Sequence, residues 1–360
     1  MKKQKLFSVF LVCFLVLSSL SSAYAQNSET DFTVVLTKDG TGAAITKYVG
    51  RSAVVRIPAT IQGMPVREIG PAAFGNYFSN SFTGYYEENT LITSVVIPEG
   101  VTTIGGNAFI KCSKLTSVTL SGTIVNIGGA AFEGCTSLIS ITLPDSLTTL
   151  GGAAFQDCSS LRTVTIPNGI TTIGGDTFSG CQSLTSINLP EGLRTIGSNA
   201  FSGCTALASI AIPNSVTSIG RGAFGSYRQD EASQPTYLAS GITSITWWPT
   251  RIATIGIGMF RDCRNLQTVV IPEGVTRISQ WAFRECRALT IVTLPSTIQQ
   301  IDDDAFLNCS SLTTINISDS VQSIRFPTSG MRAKNFAFDG CRSLTLAAQA
   351  TLRKLGYEGF

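Results

Sequence analysis

Apolar residues return along this chain on a fixed beat. Phenylalanine recurs at Phe109, Phe132, Phe155, Phe178 and Phe201, cysteine at Cys112, Cys135, Cys158, Cys181 and Cys204, and leucine at Leu115, Leu138, Leu161, Leu184 and Leu207, each 23 residues after the last. A strict period of that length defines a solenoid, in which each coil hides its apolar side only by stacking on its neighbours. The pattern predicts a β-rich repeat architecture and names no ligand.

Each coil carries two apolar steps. In the first, Leu115, Val118 and Leu120 alternate with Thr116, Ser117 and Thr119, the pattern of a half-buried strand. Such strands close on Ile57-Pro58, Ile97-Pro98, Leu143-Pro144, Ile166-Pro167, Leu189-Pro190, Ile212-Pro213, Ile271-Pro272 and Leu294-Pro295, because proline has no N–H to give a ladder. The second step, Val-x-x-Ile-Gly as in Val101 to Gly105, ends on a glycine that suits a tight corner, and Ala-Phe then returns an aromatic to the interior. Counted by the isoleucine or its equivalent, the 11 coils are those of Ile69, Ile104, Ile127, Leu150, Ile173, Ile196, Ile219, Ile255, Ile278, Ile301 and Ile324. At one strand spacing per coil the stack is about 50 Å long.

The ends depart from the beat. Phe32 to Leu36 and Ala44 to Val49 flank the turn Lys38-Asp39-Gly40-Thr41-Gly42 and read as a hairpin over the first coil, whose core and strand edge it would otherwise leave open. After Leu344 the spacing of Leu344, Ala347, Ala348 and Leu352 or Leu355 becomes helical, with Arg353 and Lys354 in the last turn and Gly356 beyond it. At the start, Lys2, Lys3 and Lys5 precede an apolar run from Leu6 to Leu17 and the small-x-small triplet Ala23-Tyr24-Ala25, a secretory leader too short to span a bilayer. The expected organisation is a signal peptide (1–25), an N-terminal hairpin cap (26–50), the repeat solenoid (51–344) and a C-terminal helical cap (345–360).

The residues carry a resemblance. Cys-x-x-Leu-x-x-Val-x-Ile-Pro-x-x-Val-x-x-Ile-Gly-x-x-Ala-Phe resembles the BspA-type leucine-rich repeat of bacterial secreted and surface proteins, from about Val54 to Leu344, 291 of 335 residues after the leader. The resemblance implies a right-handed leucine-rich-repeat superhelix with a parallel sheet on one side. It also implies secreted or surface-displayed adhesins that bind host matrix proteins or other cells.

Charge narrows the partners. Three of the 26 basic residues lie in the leader, so 23 basic residues face 23 acidic ones in the remainder. A neutral chain has no overall electrostatic reason to seek nucleic acid or anionic lipid, and no later segment is long and apolar enough for a transmembrane helix. The expected partner is an extracellular protein or glycan, host matrix included.

Chemistry narrows the function. Histidine is absent, which removes Ser-His-Asp and Cys-His catalysis and histidine-bound zinc. Polysaccharide lyases and hydrolases built on a parallel β-helix are the main enzymatic alternative and need carboxylates gathered on one face. The acids here are scattered except for Asp302-Asp303-Asp304, which replaces the corner glycine and reads as a solvated corner or a weak calcium contact. Nine cysteines follow the leader, all at one place in the motif; they read as a ladder of small buried side chains rather than disulfides, and one thiolate per coil makes a line, not a metal tetrahedron. No cofactor or metal is expected. A purely structural envelope component is the third reading.

Candidate binding residues lie where the beat is broken. Phe74 to Ile92 and Phe224 to Ile242 each span 18 residues where Phe109 to Leu115 spans six, so two 12-residue insertions leave one corner, six coils apart. They carry Tyr85, Tyr86 and Tyr237, and Trp247-Trp248 follows the second; a third, shorter insertion runs from Arg325 to Lys334. Arg261 and Arg284 align in successive coils, each beside an acid, and Trp281 stands where other coils hold Asn107, Ala130, Ala153, Asp176 or Asn199. Aromatic anchors with guanidinium donors suit an interface hot spot, so Tyr85, Tyr86, Tyr237, Trp248, Arg261, Trp281 and Arg284 are the expected partner-binding set. The outward strand positions Ser117, Thr119, Thr142, Thr163, Thr165, Thr185, Ser186 and Thr246 form either a stabilising hydroxyl surface or a recognition face.

Overall fold

The fold is taken from a computed structural model, which describes residues 26–79, 84–226, 239–245, 248–317, 321, 323–324, 337–354 and 357. The expected leader, residues 1–25, and the third insertion, Arg325 to Lys334, lie outside these residues.

The two apolar steps of each coil become two parallel ladders. The Leu-x-x-Val-x-Ile step gives strands such as Val54–Arg56, Ser94–Val96 and Ser117–Thr119, in register with Val95 opposite Val118. The same ladder resumes through Thr163–Thr165 and Ser186–Asn188, and again through Thr268–Val270, Ile291–Thr293 and Thr314–Asn316. The Val-x-x-Ile step gives two-residue strands, among them Thr103–Ile104, Asn126–Ile127 and Thr149–Leu150. The tube thus carries a second ladder beyond the single sheet the resemblance implied. Each Ile of that step is inward and its preceding residue turned outward, so it pairs as a strand in its own right. One coil joins each strand to the next parallel one, the right-handed crossover that strand twist favours.

A column of rings fills the interior. Eleven phenylalanines from Phe74 to Phe338 stack one per coil, 4.6–5.8 Å between centroids and within 17° of parallel. Tyr48 continues the column at one end, 5.4 Å from Phe74, and Tyr357 closes it edge-on at the other, 5.7 Å from Phe338. The strand holding Tyr48, Ala43–Tyr48, pairs antiparallel with Phe32–Leu36 and parallel with Met64–Ile69, so the hairpin extends the second ladder. At the far end the helix Leu346–Lys354 buries Ala348 and Leu352, whereas Ala347 is exposed.

The corners invert the expected role of glycine. Gly128 has an ordinary φ, but a Cβ there would lie 2.5 Å from the backbone nitrogen of Gly106 in the coil below, so glycine permits close stacking of coils. The sharp turns belong instead to two left-handed residues flanking the phenylalanine of each uninterrupted coil from Phe109 to Phe201 and from Phe260 to Phe306, for example Ala153 (φ 57°) and Asp157 (φ 59°) around Phe155.

All nine described cysteines are buried and free of disulfides. Each Sγ donates to the carbonyl of the phenylalanine in the coil before, as Cys158 does to Phe132 at 3.2 Å and Cys286 to Phe260 at 3.1 Å. The two insertion coils lack the thiol. Asn89 stands at its place in the motif in the first, donating Nδ2 at 2.8 Å to the Phe74 carbonyl of its own coil, which also accepts from Cys112, and Ala239 stands there in the second.

Candidate binding surface

The second insertion leaves the tube after Ser226 and rejoins it at Ala239, and it costs the ring stack nothing. Phe224 and Phe260 remain 5.5 Å apart across it, as Phe74 and Phe109 remain 4.6 Å apart across the first. Six ring steps separate Phe74 from Phe224, so both insertions leave the same corner of one rigid rod. Beside the second lies a small recess lined by Ala239 and Gly241 together with polar residues that include Thr205, Ser226, Asp262 and Arg264. Asp262 accepts from Ser226 Oγ at 2.6 Å and lies 3.6 Å from the Arg264 guanidinium.

Trp281 is the centre of the neighbouring cluster. It holds one of the left-handed corners (φ 62°), and its indole is half-buried, with the Arg221 and Arg261 guanidinium carbons 5.5 and 5.4 Å from the ring centroid. Its Nε1 donates to Asp304 Oδ2 at 3.1 Å, and Arg284 Nη1 lies 3.7 Å from the same oxygen. Gly258 occupies the equivalent corner of the preceding coil, and the space over it is open enough for Arg221 to reach across two coils. These are cation–π and charge-assisted contacts among the protein's own groups.

Two expected site residues are buried. Trp248 is core: only 8% exposed, it donates Nε1 to the Ile252 carbonyl at 3.1 Å and tilts against Phe260 at 6.3 Å. The sequence held the signal, for Trp248-Pro249 stands where other coils have the inward Ile-Pro or Leu-Pro, and Ile97 and Ile271 at that place are buried as well. Arg261 is 6% exposed, in the column that buries Ile110, Ser179 and Ser202. Arg284 is largely covered, its side chain 18% exposed. Tyr237 and Trp247 lie outside the described residues, as do the side chains of Tyr85 and Tyr86.

The acidic run is no solvated corner. Asp302 is buried and holds Arg277 at 2.6 and 3.0 Å, and Asp304 is buried against Trp281 and Arg284. Among the described residues, no three His, Cys, Asp or Glu side chains gather as a metal site would need. On the first ladder, threonines at strand starts carry the hydrogen bonding from coil to coil, as Thr116 Oγ1 does to Thr93 O (3.0 Å) and Thr185 Oγ1 to Arg162 O (3.2 Å). The remaining outward positions, Ser117, Thr119, Thr142, Thr163, Thr165 and Ser186, are exposed, and Thr246 lies outside the described residues.

The two ladders, the ring column and the loops leaving one corner define a leucine-rich-repeat solenoid that presents surface rather than a cleft. Comparison with known families identifies it further: the BspA type Leucine rich repeat region, in six copies, matches residues 79–185, 154–245 and 231–360. The chain belongs to this family. A leucine rich cell surface protein of Faecalibacterium prausnitzii has a similar structure, 28% identical over 92% of this chain and 97% of that one, with a TM-score of 0.53. A leucine rich repeat protein of T. pallidum is 32% identical over 56% of this chain and 88% of that one, with a TM-score of 0.51. No curated protein matches the sequence.

Proposed function

We propose that the protein is a non-enzymatic binding protein, secreted or displayed at the cell surface, that recognises an extracellular protein or glycan through its inserted loops and outward strand face. The observation that carries this reading is the pair of insertions that leave the ring column unbroken. Chain length spent off a tube that does not need it is where solenoids place recognition. The acids of the C-terminal coils support a binding surface over a catalytic groove. Asp262, Glu285, Asp302 and Asp304 each lie beside an arginine instead of facing one another, whereas glycoside hydrolysis needs two opposed carboxyl groups. The leader at residues 1–25 and the cell-surface description of the F. prausnitzii relative agree with an extracellular location.

The test is an array of purified extracellular matrix proteins and glycans probed with residues 26–360, alongside incubation with the polysaccharides of the array. Saturable binding without release of shorter saccharides supports the reading. Release of cleaved saccharides, or failure to bind anything on the array, counts against it.

A further inference from the structure

One place in the motif changes character along the rod. The residue after the cysteine is Thr136, Ser159, Gln182 and Thr205 in successive earlier coils, and Arg264, Arg287, Ser310 and Arg342 in the last four. The fold uses a hydroxyl here, for Thr136, Ser159 and Thr205 each donate one to a carbonyl of the coil before at 3.3–3.4 Å. The arginines are therefore not what the tube requires at this place.

They stand in line. Each follows its phenylalanine by four residues, and Phe260, Phe283, Phe306 and Phe338 stack at steps of 5.5, 5.2 and 5.1 Å. The last coil keeps this register, since Ser343 Oγ donates to the Ser310 carbonyl at 2.8 Å. Arg264, Arg287 and Arg342 thus leave one edge of the rod, with Ser310 in the gap. The acids beside the first two lie behind them. The Arg264 side chain is 55% exposed against 4% for Asp262, and that of Arg287 58% against 13% for Glu285. Glu285 Oε2 accepts from Nε and Nη2 of Arg287 at 2.9 Å each, which holds the guanidinium at the surface. Arg342 is exposed and forms no ion pair with a described residue. With Arg353 and the exposed Asp339 it lines a recess between the last coil and the C-terminal helix. Charges equal in number along the chain are unequal at this edge.

The surroundings of the arginines select the ligand. Asn265, Ser310 and Ser343 are exposed among them, and none of the large exposed apolar residues falls in the corners 261–265, 284–288, 307–311 and 339–343. A protein interface centres on aromatic or apolar anchors, and single-stranded nucleic acid stacks its bases on exposed rings. A line of guanidinium groups spaced by hydroxyls and amides suits instead a linear polymer that carries oxyanions and hydroxyls at intervals, because a guanidinium fork meets a sulfate or carboxylate with paired N–H donors.

We infer that this edge of the rod, from the Phe260 coil to the C-terminal helix, binds an anionic polysaccharide, with Arg264, Arg287 and Arg342 on its sulfate or carboxylate groups and Asn265 and Ser310 on its hydroxyls. The site belongs to uninterrupted coils. It is therefore separate from whatever the long insertions hold, and a polyanion is no test of the insertions.

The experiment titrates residues 26–360 with dextran sulfate, polygalacturonate, neutral dextran and a single-stranded DNA oligomer over a range of salt concentrations. Dextran sulfate, polygalacturonate or both should bind, more weakly as salt rises, and neutral dextran should not. Which of the two binds tells sulfate from carboxylate. Arg264→Ser with Arg287→Ser and Arg342→Ser should lower the affinity at least about tenfold and reduce the salt slope by about one per arginine. Serine and glutamine both occupy this place in other coils, as Ser159 and Gln182, so the melting temperature should stay near the parent's. If the serine variant melts lower, Arg264→Gln with Arg287→Gln and Arg342→Gln carries the test, and if both variants unfold the arginines are structural and the inference is wrong. Arg162→Ser with Arg194→Ser, exposed arginines beside the two ladders, should bind as the parent does. A chain with both long insertions shortened should do the same. Failure of both polyanions, normal binding by the edge variants, or an equal loss in the Arg162 and Arg194 control refutes the edge. Loss of the polyanion on shortening the insertions places it there and refutes the edge as well, and binding of the DNA oligomer alone refutes the polysaccharide.

Discussion

The thiol of Cys135 donates to the carbonyl oxygen of Phe109, 3.2 Å away in the preceding coil. Cys181 repeats this to Phe155, Cys204 to Phe178, Cys309 to Phe283 and Cys341 to Phe306. This bond explains why the motif asks for cysteine where alanine or valine would also be small and apolar. The same carbonyl accepts the backbone N–H of Cys112 at 3.1 Å, so the thiol is a second donor to an acceptor inside the tube, where hydrogen bonds to polar groups are at a premium. Each sulfur is also committed to the carbonyl below it, not to another sulfur. The nine thiols of residues 26–360 should therefore all react under denaturing, non-reducing conditions and hardly any in the native protein. Four disulfides with one free thiol would contradict this.

Burial fixes the pH dependence of the same residues. It pushes the Cys112 and Cys263 thiols from 9.0 up to about 12, and it raises Cys135, Cys158, Cys181, Cys204, Cys286 and Cys309 as well. Folded values above the unfolded one mean that the contribution is fully present below about pH 9. Above it the unfolded chain ionises while the folded chain does not, so stability falls by about 1.4 kcal/mol per pH unit per thiol toward pH 12. The urea midpoint should hold up to about pH 8.5 and then drop steeply. A flat midpoint through pH 10.5 would show that the thiols are not buried.

The two tryptophans should behave oppositely. Trp248→Ala removes a buried ring and its bond to Ile252, and should cost about 3–5 kcal/mol. Trp281→Ala loses cation–π contacts on a half-buried ring and should cost less than about 2 kcal/mol. Chemical denaturation of the two variants gives the comparison. Equal losses would refute the placement of either ring.

The corner at Ala153 offers a gain. Alanine at φ 57° is strained by its Cβ, by about 1–2 kcal/mol relative to a right-handed conformation. Ala153→Gly removes that strain and returns part of it as unfolded-state entropy, so the protein should gain about 0.5–1 kcal/mol. A loss of stability on calorimetry would mean that the turn is shaped differently.

The tube was legible in the sequence because a solenoid repeats its constraints. Phe109, Cys112 and Leu115 announce their roles by returning every 23 residues, and each is buried. The departures were less so. Asn89 stands at the cysteine's place but bonds the Phe74 carbonyl of its own coil, and an insertion hides the alignment that would have exposed it. Arg261 and Asp304 look like surface charges in the chain, yet the coil above covers them, because a corner residue's exposure depends on its neighbour's side chain. The left-handed corners were read onto the wrong glycine, since close approach between coils and a positive φ both select glycine and only coordinates separate them.

The central claim is that the periodic residues build a rod and the aperiodic insertions bind. The most direct measurement takes a ligand found on the array of extracellular proteins and glycans and a chain in which both long insertions are replaced by the short corner Ile110-Lys111-Cys112. The account predicts unchanged far-UV circular dichroism, melting as high as the parent, and loss of the ligand. Full binding by the shortened rod would contradict it.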